Sequence, residues 1–179
     1  MRPNADSQLT RRRLLAVGGA GLAASLSGCL SSVPLVGGPP DVREESEPPD
    51  RGVPSAIHDL SANATVATLA VGRGSNHHQV WVWNATGRSR EVSVEIGGAS
   101  DEELWFRERY ALDADANLAI DLRESREYAI TVGVGDRQKI VEVQKSQFDC
   151  NDSATDVAIR DDEIESQTIS TAMGCGGGF

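Results

Sequence analysis

After Pro54 the chain has no proline, and apolar and polar residues alternate one for one in several of the runs that follow. In REVSVEIG, residues 90–97, Val92, Val94 and Ile96 fall on one side while Ser93 and Glu95 fall on the other. A period of two buries one face and wets the other, which is a half-buried strand rather than a helix. The pattern returns in ANLAIDL through Leu118, Ile120 and Leu122, and in REYAITVGV through Tyr128, Ile130, Val132 and Val134. Further strands are expected at 65–71, 79–84, 104–111, 138–144, 155–161 and 163–170, separated by turn-forming stretches such as TGRS, IGGAS, LDADAN, LRES and VGDR. With no amphipathic helix in the pattern, an antiparallel β-sandwich of about 7 to 9 strands is the predicted fold, all-β and immunoglobulin-like. Residues 58–175 make up this domain, and 176–179 form a glycine-rich tail.

One strand breaks the alternation. In QVWVWN at 79–84, Val80 and Val82 share a face and Trp81 and Trp83 share the other, so neither side is polar. That strand is expected at the centre of a sheet. Its tryptophan face is either a binding surface or, as the favoured reading, covered by the preceding segment or by a loop. A tryptophan in a middle strand resembles the core tryptophan of immunoglobulin-like sandwiches, although no cysteine lies in an early strand to pair beside it.

Ahead of the domain the composition changes. Residues 29–57 hold six of the seven prolines, together with Glu44, Glu45, Glu47 and Asp50, and show no apolar period. This composition is expected to form a disordered, extended tether.

The front of the chain is different again. TRRRLLA at 10–16 runs a cationic cluster into the apolar stretch LLAVGGAGLAASL, which is shorter than the roughly 20 residues that span a bilayer and is rich in Gly and Ala. The alternative, an apolar helix packed on a cytosolic core, fits neither the flanking arginines nor the small residues. Arg11 and Arg12, with Leu14 and Leu15 after them, resemble the twin-arginine export signal, and Leu26, Ser27, Gly28 and Cys29 resemble a lipobox. The resemblance implies a signal peptide over 1–28, cleavage before Cys29 and a lipid on its thiol. Two hydrocarbon chains hold a protein at a membrane firmly, since each buried methylene contributes about 0.8 kcal/mol. Anchorage at the outer face of the cell membrane is therefore the expected localisation.

Lys and Arg number 17 against 27 Asp and Glu, a net charge of −10, and aromatic content is 4%. Such a field repels phosphate backbones, so nucleic acid is not an expected partner. The acidic, small-residue balance suits solubility in very high salt, and the whole chain is similar to the twin-arginine-exported lipoproteins of haloarchaea.

That resemblance assigns the cysteines. With Cys29 on lipid, Cys150 and Cys175 remain, and the oxidising surroundings of an exported protein make a disulfide between them the expected pairing. Export also gives meaning to three Asn-x-Ser/Thr tripeptides, which make Asn63, Asn84 and Asn151 candidate glycan acceptors.

Chemistry is harder to find. His58, His77 and His78 are read as loop residues, and the neighbours His77 and His78 point in opposite directions, unsuited to one shared metal. Cys175 lacks the spaced His and Met of a blue-copper site. Asp113 and Asp115 are spaced like the start of a calcium loop, but the position that needs Gly is Leu118, so they are only weak metal candidates and a hairpin turn is expected. No nucleophile motif, phosphate loop or carboxylate pair stands out, so no catalytic residues and no cofactor are predicted. The expected function is a cell-surface module acting by binding or structural association with an extracellular protein or small ligand. The alternative is an accessory metal- or solute-binding lipoprotein.

Overall fold

Val92, Val94 and Ile96 are completely buried while Glu91 is exposed, so the alternating run at 90–98 does lie with one face in a core. The computed structural model describes residues 38–100 and 103–171. Among them are ten strands: β1 Val42–Glu45, β2 Ala64–Val71, β3 His78–Asn84, β4 Arg90–Gly98, β5 Leu104–Leu112, β6 Ala116–Leu122, β7 Tyr128–Val134, β8 Arg137–Val143, β9 Ser153–Ile159 and β10 Ile164–Ser170. A single 3-10 turn at Lys145–Gln147 joins β8 to β9.

The strands form two sheets, one of six in the order β1-β2-β6-β3-β9-β10 and one of four in the order β5-β4-β7-β8. Their inner faces meet in one core. Leu69, Val80, Val82, Leu118, Ile120 and Val157 from the larger sheet pack with Val92, Val94, Ile96, Tyr128, Ile130 and Val132 from the smaller. Each Val, Leu or Ile fully removed from water contributes about 1.5 to 3 kcal/mol, and that burial holds the sandwich together. The all-β, two-sheet class read from the sequence is the class observed.

Pairing in the larger sheet is mixed, which differs from the expected antiparallel arrangement. β2 runs parallel to β6 and β3 runs parallel to β9. Parallel neighbours need a crossover. Here the chain supplies it by leaving the sheet: β4 and β5 lie between β3 and β6 in sequence, β7 and β8 between β6 and β9, and all four belong to the other sheet.

The outer face of the smaller sheet is wet and charged, with cross-strand pairs Arg107–Glu95 at 2.9 Å and Arg109–Glu91 at 3.3 Å. Gly97 sits where β4 shifts register against β5, and a Cβ there would lie 2.3 Å from the Glu103 carbonyl oxygen. Only glycine lets the two backbones approach this closely.

The expected tether over 29–57 needs correction for the residues described. Val42–Glu45 is a strand, paired with Thr68–Val71 at the edge of the larger sheet, and Val53 and Ile57 are buried. The composition misleads because little of this attachment uses periodic burial. Gly72, with φ of 79°, turns the chain out of β2; its N–H donates to the Asp41 carbonyl at 2.7 Å and its carbonyl accepts from Arg43 Nη1 at 2.9 Å. Edge strands are commonly short and charged, which discourages further pairing, and VREE is both.

Candidate functional site: the covered tryptophan face

Because β3 alternates, Val80 and Val82 enter the core while Trp81 and Trp83 project from the opposite face of the six-stranded sheet. The two indoles stack at 5.9 Å with 26° between their planes. Over both lies the guanidinium of Arg51, 5.5 Å from the Trp81 ring centroid and 5.6 Å from that of Trp83. A cation over an indole face is attracted by the ring quadrupole, and here it lies over two.

Asp156, on the neighbouring strand β9, secures this arrangement. Its carboxylate is fully buried. One oxygen accepts from Arg51 Nη2 at 2.7 Å, from Ser55 Oγ at 2.9 Å and from the Ala56 N–H at 2.6 Å. The other accepts from Trp83 Nε1 at 2.8 Å. Gln79 ties down the front of the same segment, donating to the Asp50 carbonyl at 2.7 Å and accepting from Trp81 Nε1 at 3.0 Å. Residues 50–57 therefore form a strap across the tryptophan face. Side chains also hold the strap to itself: Arg51 Nε donates to the Val53 carbonyl at 3.0 Å. Coverage by the preceding segment, the favoured reading of the sequence, is what the fold contains.

Beside the strap runs a row of charges. His77 Nδ1 lies 3.0 Å from Asp121 Oδ1, Arg123 Nε donates to Asp121 Oδ2 at 2.6 Å, and the remaining Arg123 nitrogens donate to both Glu45 oxygens at 2.7 Å. The bidentate Arg123 bond holds the Glu45 carboxyl below its ordinary pKa. The row links β1 to β6 and β3, so the added edge strand is attached by charge as well as by its ladder.

His77 and His78 do point in opposite directions, but His78 is not a loop residue. It is fully buried on the core face of β3, against Phe148. Its Nδ1 lies 2.8 Å from Ser153 Oγ and its Nε2 lies 3.0 Å from Thr155 Oγ1, while Ser153 Oγ donates to the Gln147 carbonyl at 3.0 Å. Because the Ser153 proton is committed, Nδ1 carries hydrogen and Nε2 accepts from Thr155, a neutral tautomer assigned by the network. Burial pushes the His78 pKa down to about 4.

The other predicted sites fall out as follows. Asp113 and Asp115 occupy the turn between β5 and β6; Asp115 has φ of 57°, and the Asp113 carbonyl accepts from the Ala116 N–H at 3.1 Å. Among the described residues no three His, Cys, Asp or Glu side chains gather as metal ligands. Asn84 does not suit a glycan acceptor. It is 1% exposed, and its amide nitrogen donates to the carbonyls of Arg88, Leu112 and Asp113 at 2.9, 2.9 and 2.8 Å. Asn151 donates to Asp149 Oδ2 at 2.9 Å. Asn63 is exposed. Cys150 is not a free thiol. Arg11, Arg12, Cys29, Cys175 and the 176–179 tail lie outside the described residues.

Sequence reasoning missed Asp156 and Arg51, which organise the face. An isolated Asp in TDVAIRD and an Arg among prolines carry no local signal; only the Trp-Val-Trp alternation pointed to a surface needing cover. No protein-family model and no curated protein matches this sequence.

Proposed function

We propose that the chain is a twin-arginine-exported lipoprotein, anchored through a lipid on Cys29 to the outer face of the membrane. Its immunoglobulin-like sandwich acts there by binding or structural association with an extracellular protein or small ligand, without catalysis. The observation that carries this reading is LSGC at 26–29, placed directly after an apolar run headed by Arg11, Arg12 and Arg13. Removal of residues 1–28 would leave 13 basic against 26 acidic residues, a surface suited to a salt-rich exterior.

A disulfide between Cys150 and Cys175 belongs to the same reading. The β9–β10 pairing sets Ser170 opposite Ser153, and the Thr171 N–H donates to the Asp152 carbonyl at 2.9 Å, so the last described residue lies beside the segment that carries Cys150, which is compatible with this pairing. The test is export in the native host. Changing Arg11 and Arg12 together to Lys should leave the precursor inside the cell, and normal export of that variant would sink the twin-arginine assignment.

A further inference from the structure

Folding separates the three Asn-x-Ser/Thr tripeptides. The amide of Asn84 is buried and triply bonded, and that of Asn151 is bonded to Asp149 with its oxygen buried. Asn63 is exposed, and among the described residues neither its carboxamide nor the Thr65 hydroxyl makes a hydrogen bond. Its backbone is held, with the N–H donating to the Asp115 carbonyl at 2.7 Å, so the free side chain is presented from a fixed position. Among the described residues β1 pairs only with Thr68–Val71, leaving the front of β2, from Ala64, without a strand partner on that edge.

Next to Asn63 is a depression of about 250 Å³ lined by Ala62, Asn63, Thr65, Trp83 and Asn117. Asn117 is only 4% exposed, yet its Oδ1 is buried without a hydrogen-bond partner. An unsatisfied buried carbonyl costs free energy that a hydroxyl-bearing group at this spot would recover. A hexose offers both parts of the match, hydroxyl donors for Asn117 and an apolar C–H face for the edge of Trp83.

We propose that Asn63 is a glycan attachment site and that its first sugar closes over this depression, donating a hydroxyl to Asn117 Oδ1. The proposal rests on the export reading above. The donor would be a lipid-linked glycosyl phosphate. Asn63 Nδ2 bonds to the anomeric carbon, the bond from that carbon to the phosphate oxygen breaks, the phosphate leaves with the electron pair, and the amide nitrogen gives up one proton.

The experiment is peptide mass mapping of the full chain isolated from its exporting host, covering all three tripeptides and the N-terminus. A hexose-containing mass on the Asn63 peptide alone supports the site. A bare Asn63 on protein that begins at Cys29 overturns the glycan while leaving export intact, and a bare Asn63 on protein that retains residues 1–28 overturns both. The seating has its own readout. Thr65→Ala, which removes the sugar, should lower Tm by about 4 °C relative to Thr65→Ser, which also alters the lining of the depression but keeps the tripeptide. In an Asn117→Leu background the same change should lower Tm by less than half as much. Equal losses in the two backgrounds contradict the contact with Asn117. Should Asn117→Leu fail to fold, Asn117→Asp, which keeps the acceptor, should preserve the full loss, and its absence there contradicts the contact equally.

Discussion

Arg51 reaches 105 residues along the chain to place Nη2 2.7 Å from the carboxylate of Asp156, and that ion pair lies over the stacked rings of Trp81 and Trp83. Asp156 has no solvent exposure and Arg51 little, so the pair is worth most as a unit. Asp156→Ala should destabilise the domain by about 3 to 5 kcal/mol, because it strands a largely buried guanidinium and leaves the Trp83 indole N–H without its acceptor. Denaturant unfolding measures this, and a loss under 1 kcal/mol would contradict the role given to the carboxylate.

Releasing the strap without removing its anchor should be visible spectroscopically. In Arg51→Ala the indoles of Trp81 and Trp83, now 6% and 9% exposed, lose their cover, and tryptophan emission should shift to longer wavelength in the folded protein. Unchanged emission would mean that the strap stays down without the cation.

His78 makes stability depend on mild acid. Its pKa is pushed down to about 4 in the fold, against an ordinary value near 6.5, so both states hold it neutral above pH 6.5 and no penalty arises there. As pH falls from about 6.5 toward 4, the unfolded chain takes up a proton that the folded chain refuses, and stability drops by up to about 3 kcal/mol. The low pKa of Glu45 works in the same direction but at lower pH, where its carboxylate would protonate. Unfolding free energies at pH 7 and pH 4.5 should differ more for the wild type than for His78→Gln; equal differences would contradict the burial argument.

A bond from Cys150 to Cys175 would close a loop of about 25 residues, worth about 3.5 kcal/mol in the chain-entropy account. Reduction should lower the midpoint of unfolding, and alkylation of the oxidised, lipid-anchored protein should label neither cysteine. Two labelled thiols would contradict the pairing.

The parts of this fold that were legible in the sequence are those in which one residue's burial repeats two positions on. β4, β6 and β7 carry that rhythm in Val92, Val94 and Ile96, in Leu118, Ile120 and Leu122, and in Tyr128, Ile130 and Val132, and their bounds were readable to within two residues. β1 was not legible, because an edge strand of four residues, three of them charged, has almost no apolar face to show. Alternation also separated His77 from His78 without saying which one faced the core. That choice depends on Ser153 and Thr155, some 75 residues away, and contacts of such range leave no mark on either local sequence. The tryptophan face announced that it needed a cover; the identity of the cover rested on one arginine and one aspartate whose neighbours in sequence say nothing about them.

Anchorage, redox setting and the assignment of the other two cysteines would all follow from the proposed lipid on the Cys29 thiol. Mass spectrometry of the N-terminal peptide from membrane-isolated protein tests it most directly. The prediction is a peptide that begins at Cys29 and carries the added mass of a two-chain lipid, lost together with membrane retention in Cys29→Ser. A membrane-bound product with an unmodified Cys29 behind an intact residue 28, or a Cys29→Ser protein retained as firmly as the wild type, would contradict it.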